Sequence, residues 1–443
     1  MADFYLHSQR VVTPSGVVPG FVRVRDGRIL CVDVLPEKGV PLMTYGNLIL
    51  SPGLVDTHAH LNEPGRTEWE GFETATRAAA SGGVTTIVDM PLNCVPATTT
   101  RVALETKRRA VKDHAWVDYG FWGGVVPGNE AELDPMMDSG VCGFKAFLID
   151  SGVREFEKAD KATLLKAMPR LARRRVPLLV HAELDRGDVS AHDSRRYIDY
   201  LRSRPRTWEE AAIKWVIVLA QETVCPIHIV HLSDALSLPL IAQARSRGMP
   251  ISVETCPHYL VFAAETIADG QTHFKCAPPI REEANRELLW KGVLSGAIDC
   301  VVSDHSPCTP ALKGLESGDF HKAWGGIAGI QFLLGSVWTE AAERGWPLSK
   351  LFRAMAQNTA RLAGLSHKGA ILPGNDADLI LWDPEEQFVV ETRQVLHRHS
   401  LTPYAGRTLR GSVKKTWVRG QLVYDEGHFS APVGREVRRG ERP

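Results

Sequence analysis

Apolar and polar positions alternate along the first fifty residues in short runs, FYLHSQRVV and FVRVRDGRILCV, parted by turn residues such as Pro14-Ser15-Gly16. A period of two is that of a strand with one covered face. Asp26-Gly27, set between two such stretches, predicts a hairpin. So few residues cannot bury a core alone, so these strands need a distant partner. The C-terminal runs DADLILWDP (Asp376 to Pro384), SVKKTWVRG and QLVYDEG offer one. Both chain ends are expected to build one small β-sandwich domain, from residues 1–49 and 368–443.

From Asn47 to about His367 the rhythm changes to buried-type strand, then helix, repeatedly. The strand runs are LILSPGLVDTH, GVTTIVDM, WVDYGFWGGV, VCGFKAFLI, VPLLVHAE, PIHIVHL, PISVETC and IDCVVSDH. Thr207-Trp208-Glu209-Glu210 reads as a capping box opening a helix, with Ala211, Trp215, Val218 and Leu219 as its apolar face. Another helix, Glu73 to Ser81, is expected to stop at Gly82-Gly83. Eight strands alternating with helices over about 250 residues or more give the count of a (β/α)8 barrel, here spanning residues 50–367. A doubly wound open sheet is the rival architecture, but no G-x-G-x-x-G follows the first strand.

Composition narrows the classes without choosing among them. The 443 residues suit one large domain and a smaller one. Lys+Arg and Asp+Glu both number 52, so there is no electrostatic footprint for nucleic acid or an anionic membrane. The basic stretch GREVRRGERP at the C-terminus (Gly434 to Pro443) reads as a solvated tail. The eight cysteines show no C-x-x-C spacing, and several lie in apolar runs where a thiol packs as a small hydrophobe. A disulfide framework is not expected, so the reducing cytoplasm is the default. The N-terminus lacks a signal-peptide core, and no apolar run approaches the ~20 residues of a membrane span.

Candidate chemistry gathers where such a barrel places it, at the C-terminal ends of the strands. The first barrel run ends in Asp56-Thr57-His58-Ala59-His60. Side chains on a strand alternate faces, so His58 and His60 point the same way and can grip one divalent metal. The fourth run carries Lys145, the fifth ends in His181, the sixth in His231 and the eighth in Asp304. Polar groups at one end of five different strands are hard to obtain by accident. Lys145 alone would read as an ion pair, since an ammonium has no lone pair. Carbamylation by carbon dioxide would make it carboxylate-like and able to bridge two cations. Four histidines, a carbamate and an aspartate suit two divalent metal ions, zinc first, with cobalt, manganese, nickel or iron as alternatives.

At this point the sequence resembles the cyclic amidohydrolases, the group of dihydroorotases, hydantoinases and allantoinases, and within it the allantoinases. The stretches that carry the likeness include GLVDTHAHLNEPGRTEWEGFETATRAAASGGVTTIVDMPLN, GFKAFLIDSG, LLVHAE, HIVHLS, ETCPHYL, KCAPPIR, VVSDHSPC, HKAWGGIAGIQ and GAILPGNDADLILW, from Gly46 onward. The resemblance implies a binuclear site in which His58, His60, Lys145 (as N6-carboxylysine), His181, His231 and Asp304 are the ligands. It also implies a homotetramer, a small-molecule substrate, and no nucleic-acid or membrane partner. Asp304 is then the catalytic group, taking a proton from the attacking water and passing it to the leaving ring nitrogen.

Departures from the sibling patterns bear on substrate. Dihydroorotases carry an arginine two residues past the second histidine to grip a carboxylate; here that residue is Asn62. Hydantoinases and dihydropyrimidinases carry a tyrosine five residues after the lysine; here it is Asp150. Met90-Pro91-Leu92-Asn93 followed by Pro96-Ala97-Thr98 is the allantoinase pattern. The implied reaction is opening of the hydantoin ring of allantoin to allantoate in purine breakdown. Asn93, Ser306 and Ala277, the last where serine is more usual, are expected to contact the ring. A hydantoinase or dihydropyrimidinase is the nearest rival, and a dihydroorotase or a non-catalytic scaffold of this family a more distant one. His228 is expected on the opposite face of its strand from His231, and His258 in the second shell or packed. Asp56 and Glu183 are candidates to orient metal-bound histidines, and Thr309 to Trp324 reads as a lid or a surface loop.

Overall fold

The computed structural model describes residues 3–187 and 193–441. The N-terminal strands are β1 (Asp3–Thr13), β2 (Gly16–Arg25), β3 (Arg28–Val32), β4 (Leu42–Thr44) and β5 (Ile49–Pro52). The barrel strands follow: β6 (Leu54–Ala59), β7 (Val84–Asp89), β8 (Asp118–Phe121), β9 (Gly123–Gly124), β10 (Phe144–Phe147), β11 (Leu178–His181), β12 (Ile227–Ile229), β13 (Ile251–Thr255) and β14 (Cys300–Val301). The C-terminal strands are β15 (Leu379–Val389), β16 (Thr408–Val418), β17 (Gln421–Asp425) and β18 (His428–Phe429).

β6, β7 and β8 pair in parallel, as do β9 through β14 in order. A parallel bridge from Ala59 to His305 joins the first strand to the last and closes the ring. β8 and β9 are one barrel strand broken at Trp122, whose indole turns inward and donates to the Thr57 carbonyl at 2.8 Å. The eight parallel strands with intervening helices are therefore the expected (β/α)8 barrel.

The terminal strands form one nine-stranded sheet, ordered β18-β17-β16-β15-β5-β1-β2-β3 with β4 beside β1. Period two divides its faces. Leu379 and Leu381 join Phe4, Leu6, Val22, Val24 and Trp417 in a core made by both chain ends, while Ile380 and Trp382 turn to the barrel core. Ile49–Pro52 is a strand of this sheet, beyond the expected boundary between residues 49 and 50, and the chain passes to the barrel at Gly53. A side chain there would collide with the Thr85 side chain.

Two expectations are corrected. The helix expected to begin at a capping box spans Arg206–Thr223 with Pro205 before it, so Thr207 lies in the first turn and caps nothing. Its buried face includes Trp208, Ala212, Ile213, Val216 and Leu219, while Val218 is exposed. The run AAIKWVIVLA is apolar almost all the way round, so its period could not choose a face. The C-terminal stretch from Gly434 is not a solvated tail, as far as its described residues show. Val437 is buried in the lower barrel core and donates its N–H to the Tyr119 carbonyl at 2.7 Å. Arg439 donates to the carbonyls of Cys142, Leu362 and Arg175 at 3.0–3.1 Å.

Beneath the barrel a buried ion cluster ties the two parts together. The Lys368 ammonium meets Asp118 at 2.6 Å, Asp376 at 2.8 Å and Asp378 at 2.6 Å. Arg419 adds a second cation to Asp118. The three carboxylates would suit a metal cation, but the lysine already stands among them. Among the described residues no helix is long and apolar enough to cross a membrane.

Candidate metal centre and substrate cavity

Five of the barrel strands, β6, β10, β11, β12 and β14, deliver polar side chains at or just past their ends to the same rim. At the end of β6 the Asp56 carboxylate accepts the backbone N–H of His58 and of Ser303, both at 3.2 Å, and so ties the first strand to the last. His58 Nε2 lies 3.3 Å from Asp304 Oδ1 and His60 Nε2 3.8 Å from it. The backbone at His231, Asp304 and Asn93 is left-handed, with φ of 37°, 44° and 65°. Such φ values are uncommon for residues other than glycine and concentrate at functional sites. Here they swing the side chains just past the strand ends into the barrel mouth.

His181 at the end of β11 stacks on Phe147, centroids 4.4 Å apart, and packs edge-on against His231 at 4.6 Å. His58 and His231 stand 5.3 Å apart. Lys145 on β10 is fully buried, and its Nζ has no hydrogen-bond partner. Burial brings its pKa down to about 8, against the opposing pull of the Glu254 and Asp304 carboxylates. Burial also pushes His60 and His231 well below the ordinary histidine range, and nearby positive charge, Lys145 included, acts in the same sense. His181 falls to about 4 for the same first reason, despite Glu183. These rings are therefore neutral and carry lone pairs. Asp304 is raised by burial, partly offset by His58.

This donor set fits divalent metal ions. His58, His60 and Asp304 each offer a ligand atom within 4.8 Å of the others. His231 Nδ1 is buried without a partner. An ammonium without a close anion among four imidazoles is electrostatically misplaced, whereas a carbamate on the same atom would not be.

The six expected ligands and the three expected ring contacts all border one cavity of about 540 Å³. Asn93 places Nδ2 3.3 Å from His60 Nδ1, and its Oδ1 is buried without a partner. Ser306 Oγ donates to Asp304 Oδ1 at 2.8 Å. Ala277 also lines the cavity. Asn62 donates to the Pro307 carbonyl at 3.3 Å, and Asp150 accepts the Gly152 N–H at 2.9 Å. The segment after Asp304 supplies wall through His321 to Trp324. It is held by Lys275, which donates to the Ala323 carbonyl at 2.6 Å, and by Lys313, which donates to that of Trp324 at 2.9 Å.

Sequence reasoning placed some supporting groups wrongly and missed others. Glu183 does bond a candidate ligand, His181 Nε2, at 2.7 Å, and Arg204 in turn holds Glu183. Asp56 supports backbone, not an imidazole. The carboxylate on His58 Nδ1 is Glu254, which also bonds His228 Nε2 at 3.0 Å. Burial raises Glu254, but the two imidazoles overcome it and hold the carboxyl well below its usual range. The signal for Glu254 was a lone carboxylate in a strand of buried type, which is tolerated only when paired. His228 is not on the opposite face from His231. β12 ends at Ile229 and the left-handed turn at His231 breaks the alternation, so both rings enter the barrel. Lys107 was also missed. It is buried in an ion pair with Asp89, whose other oxygen accepts the Leu61 N–H at 2.8 Å beside His60. His258 packs on Tyr259 at 4.2 Å, with both ring nitrogens unpartnered.

The amidohydrolase family model matches residues 49–423, and an allantoinase composite domain matches residues 1–37. The allantoinase of Streptomyces avermitilis is 49% identical over 99% of this chain and 99% of its own length. That of Arabidopsis thaliana is 44% identical over 97% of this chain and 90% of its own. Among solved structures, the L-hydantoinase of Arthrobacter aurescens superposes with a TM-score of 0.94 at 28% identity, over 99% of this chain and 100% of that one. The dihydropyrimidinase of Brevibacillus agri superposes at 0.91 and 27% identity, over all of both chains.

Proposed function

The chain belongs to the amidohydrolase family, and on that premise we propose that its rim cavity opens the five-membered ring of allantoin, giving allantoate, with two divalent metal ions. It is a hydrolase of carbon–nitrogen bonds in cyclic amides, and its curated relatives over nearly the whole length are allantoinases. The observation that carries the site is the meeting of four buried imidazoles, one carboxylate and an unpartnered buried amine at one rim.

His58, His60, Lys145, His181, His231 and Asp304 would hold the ions, zinc before cobalt, manganese, nickel or iron. The Lys145 amine and carbon dioxide would give a carbamate and a proton, replacing a repelling cation by an anion able to help hold the ions. When bound, the ions would supply Lewis acidity, bringing the pKa of water toward about 7 and polarising the ring carbonyl. Asp304 accepts the proton of the attacking water as its oxygen bonds the ring carbon. Asp304 then returns that proton to the ring nitrogen as the carbon–nitrogen bond breaks. Asn93 offers an amide donor and acceptor to the hydantoin edge, with Ser306 and Ala277 bordering the other side of the ring.

The cavity suits a neutral substrate. Arg204 is neutralised by Glu183, Lys275 is turned to lid-side carbonyls, and Asn62 brings no charge. The same reading gives a cytoplasmic homotetramer acting in purine breakdown. Side-by-side turnover of allantoin, hydantoin, dihydrouracil and dihydroorotate by the metal-loaded protein tests it. Allantoin should be preferred, and preference for any other ring would overturn the assignment.

A further inference from the structure

A line of side chains runs from the rim to the barrel floor through His58, Glu254, His228 and Ser252. His58, Glu254 and His228 are fully buried, while Ser252 borders a shallow depression at the floor with Pro226, Pro250 and Arg439. Glu254 Oε1 contacts His58 Nδ1, Glu254 Oε2 lies 3.0 Å from His228 Nε2, and His228 Nδ1 lies 2.7 Å from Ser252 Oγ.

With a single N–H on each ring, one assignment of protons satisfies the whole line. An ionised carboxylate only accepts, so His58 must present N–H at Nδ1 and His228 must present N–H at Nε2. His228 Nδ1 is then bare, and the hydroxyl of Ser252 donates to it. His58 is left with its lone pair on Nε2, the atom 3.3 Å from Asp304 at the rim. The opposite tautomer of His58 would turn an N–H toward the rim and could not ligate a cation.

We infer that His228 and Ser252 are positioning residues for the metal ligand His58, acting through Glu254 to fix its tautomer and ring orientation. The inference rests on the two-metal reading above. It gives purpose to a histidine whose strand position alone suggested packing.

The test compares metal retention in His228→Leu, which removes the donor to Glu254, with His228→Gln, whose amide N–H replaces Nε2–H. Each purified holoprotein is titrated with a chelator, bound metal is measured by elemental analysis, and folding is checked by the melting of the metal-free form. His228→Leu should retain metal roughly 10- to 100-fold more weakly, the range found when the outer partner of a metal-bound histidine is lost. His228→Gln should lie within about threefold of wild type, because the donor that a positioning role requires is kept. Should His228→Leu not fold, Ser252→Ala should lose about fivefold, the net worth of one hydrogen bond, and Ser252→Thr should restore it. Folded His228→Leu that holds metal as wild type does, or His228→Gln that loses as much as His228→Leu, overturns the relay. A wild-type protein without stoichiometric metal would instead overturn the metal reading, and the relay with it.

Discussion

Replacing Lys368 by methionine removes the central cation from three buried carboxylates and leaves only the cations at their margin, Arg419 on Asp118 and the more exposed Arg28 and Arg435 on Asp376. At ~2.7 Å and an effective dielectric of ~20, each pair represents about 6 kcal/mol of gross attraction. Most of that offsets desolvation in the intact cluster. Deleting one partner of a buried pair nonetheless costs about 3–5 kcal/mol, because the charge left behind is uncompensated. Protonation limits the loss. Neutralising an aspartate of unfolded pKa ~3.9 costs about 5.6 kcal/mol at pH 8 and about 1.5 kcal/mol at pH 5. Even beside Lys368, burial keeps Asp378 above the ordinary aspartate value, while the carboxylates outweigh burial and raise Lys368 above the ordinary lysine value. A raised lysine keeps its stabilising effect throughout pH 5–8 and loses it only in the alkaline range. An aspartate raised further by loss of that lysine carries its penalty above its folded pKa and sheds it as pH falls toward ~3.9. Urea unfolding of metal-stripped protein should therefore show Lys368→Met less stable by about 3–5 kcal/mol at pH 8 and about 1.5 kcal/mol at pH 5. Asp378→Asn should stabilise the Lys368→Met variant at pH 8. A loss below about 1 kcal/mol at pH 8, or one independent of pH, would refute the reasoning.

Three further outcomes concern the rim. Asp304→Asn should lower kcat for allantoin by at least about 10²–10⁴, the usual worth of a positioned general base, and wild-type kcat would remove Asp304 from the chemistry. Lys145→Met should leave the protein unable to retain metal, and stripped wild type should regain activity with divalent metal only when bicarbonate is present. Reactivation in carbon-dioxide-free buffer would count against the carbamate. Asn93→Ala should raise KM for allantoin roughly ten- to hundredfold with metal content unchanged, the cost of leaving a buried polar partner unsatisfied. Loss of metal instead would make Asn93 a support for His60.

Much of the architecture was legible because burial writes itself as period. The eight apolar runs can be counted in the sequence, and the polar residues at their ends point to one rim. What period cannot convey is the pairing between strands distant in sequence. Glu254 lies in β13 and its partners in β6 and β12, so nothing local announced that this carboxylate, not Asp56, would hold His58. His228 was misplaced because alternation was carried past the end of β12, where the backbone turns left-handed at His231. The helix Arg206–Thr223 hid its face behind nearly uniform hydrophobicity. The basic C-terminal stretch hid one apolar residue, Val437, that enters the barrel core.

The terminal sheet has a bearing on how this chain is made. Strands β1 and β5 leave the ribosome early, yet β15, which pairs with β5, lies more than three hundred residues later. At about 5–20 residues per second, that wait lasts on the order of tens of seconds. During it the edge of β5 offers unpaired backbone groups to any other nascent chain, the usual route to misassembly. Val437 comes later still, so the barrel floor stays open after β15 has paired. A ribosome that pauses just before β15 would hold the chain at its most aggregation-prone stage, and translation speed there should govern how much of it escapes misassembly.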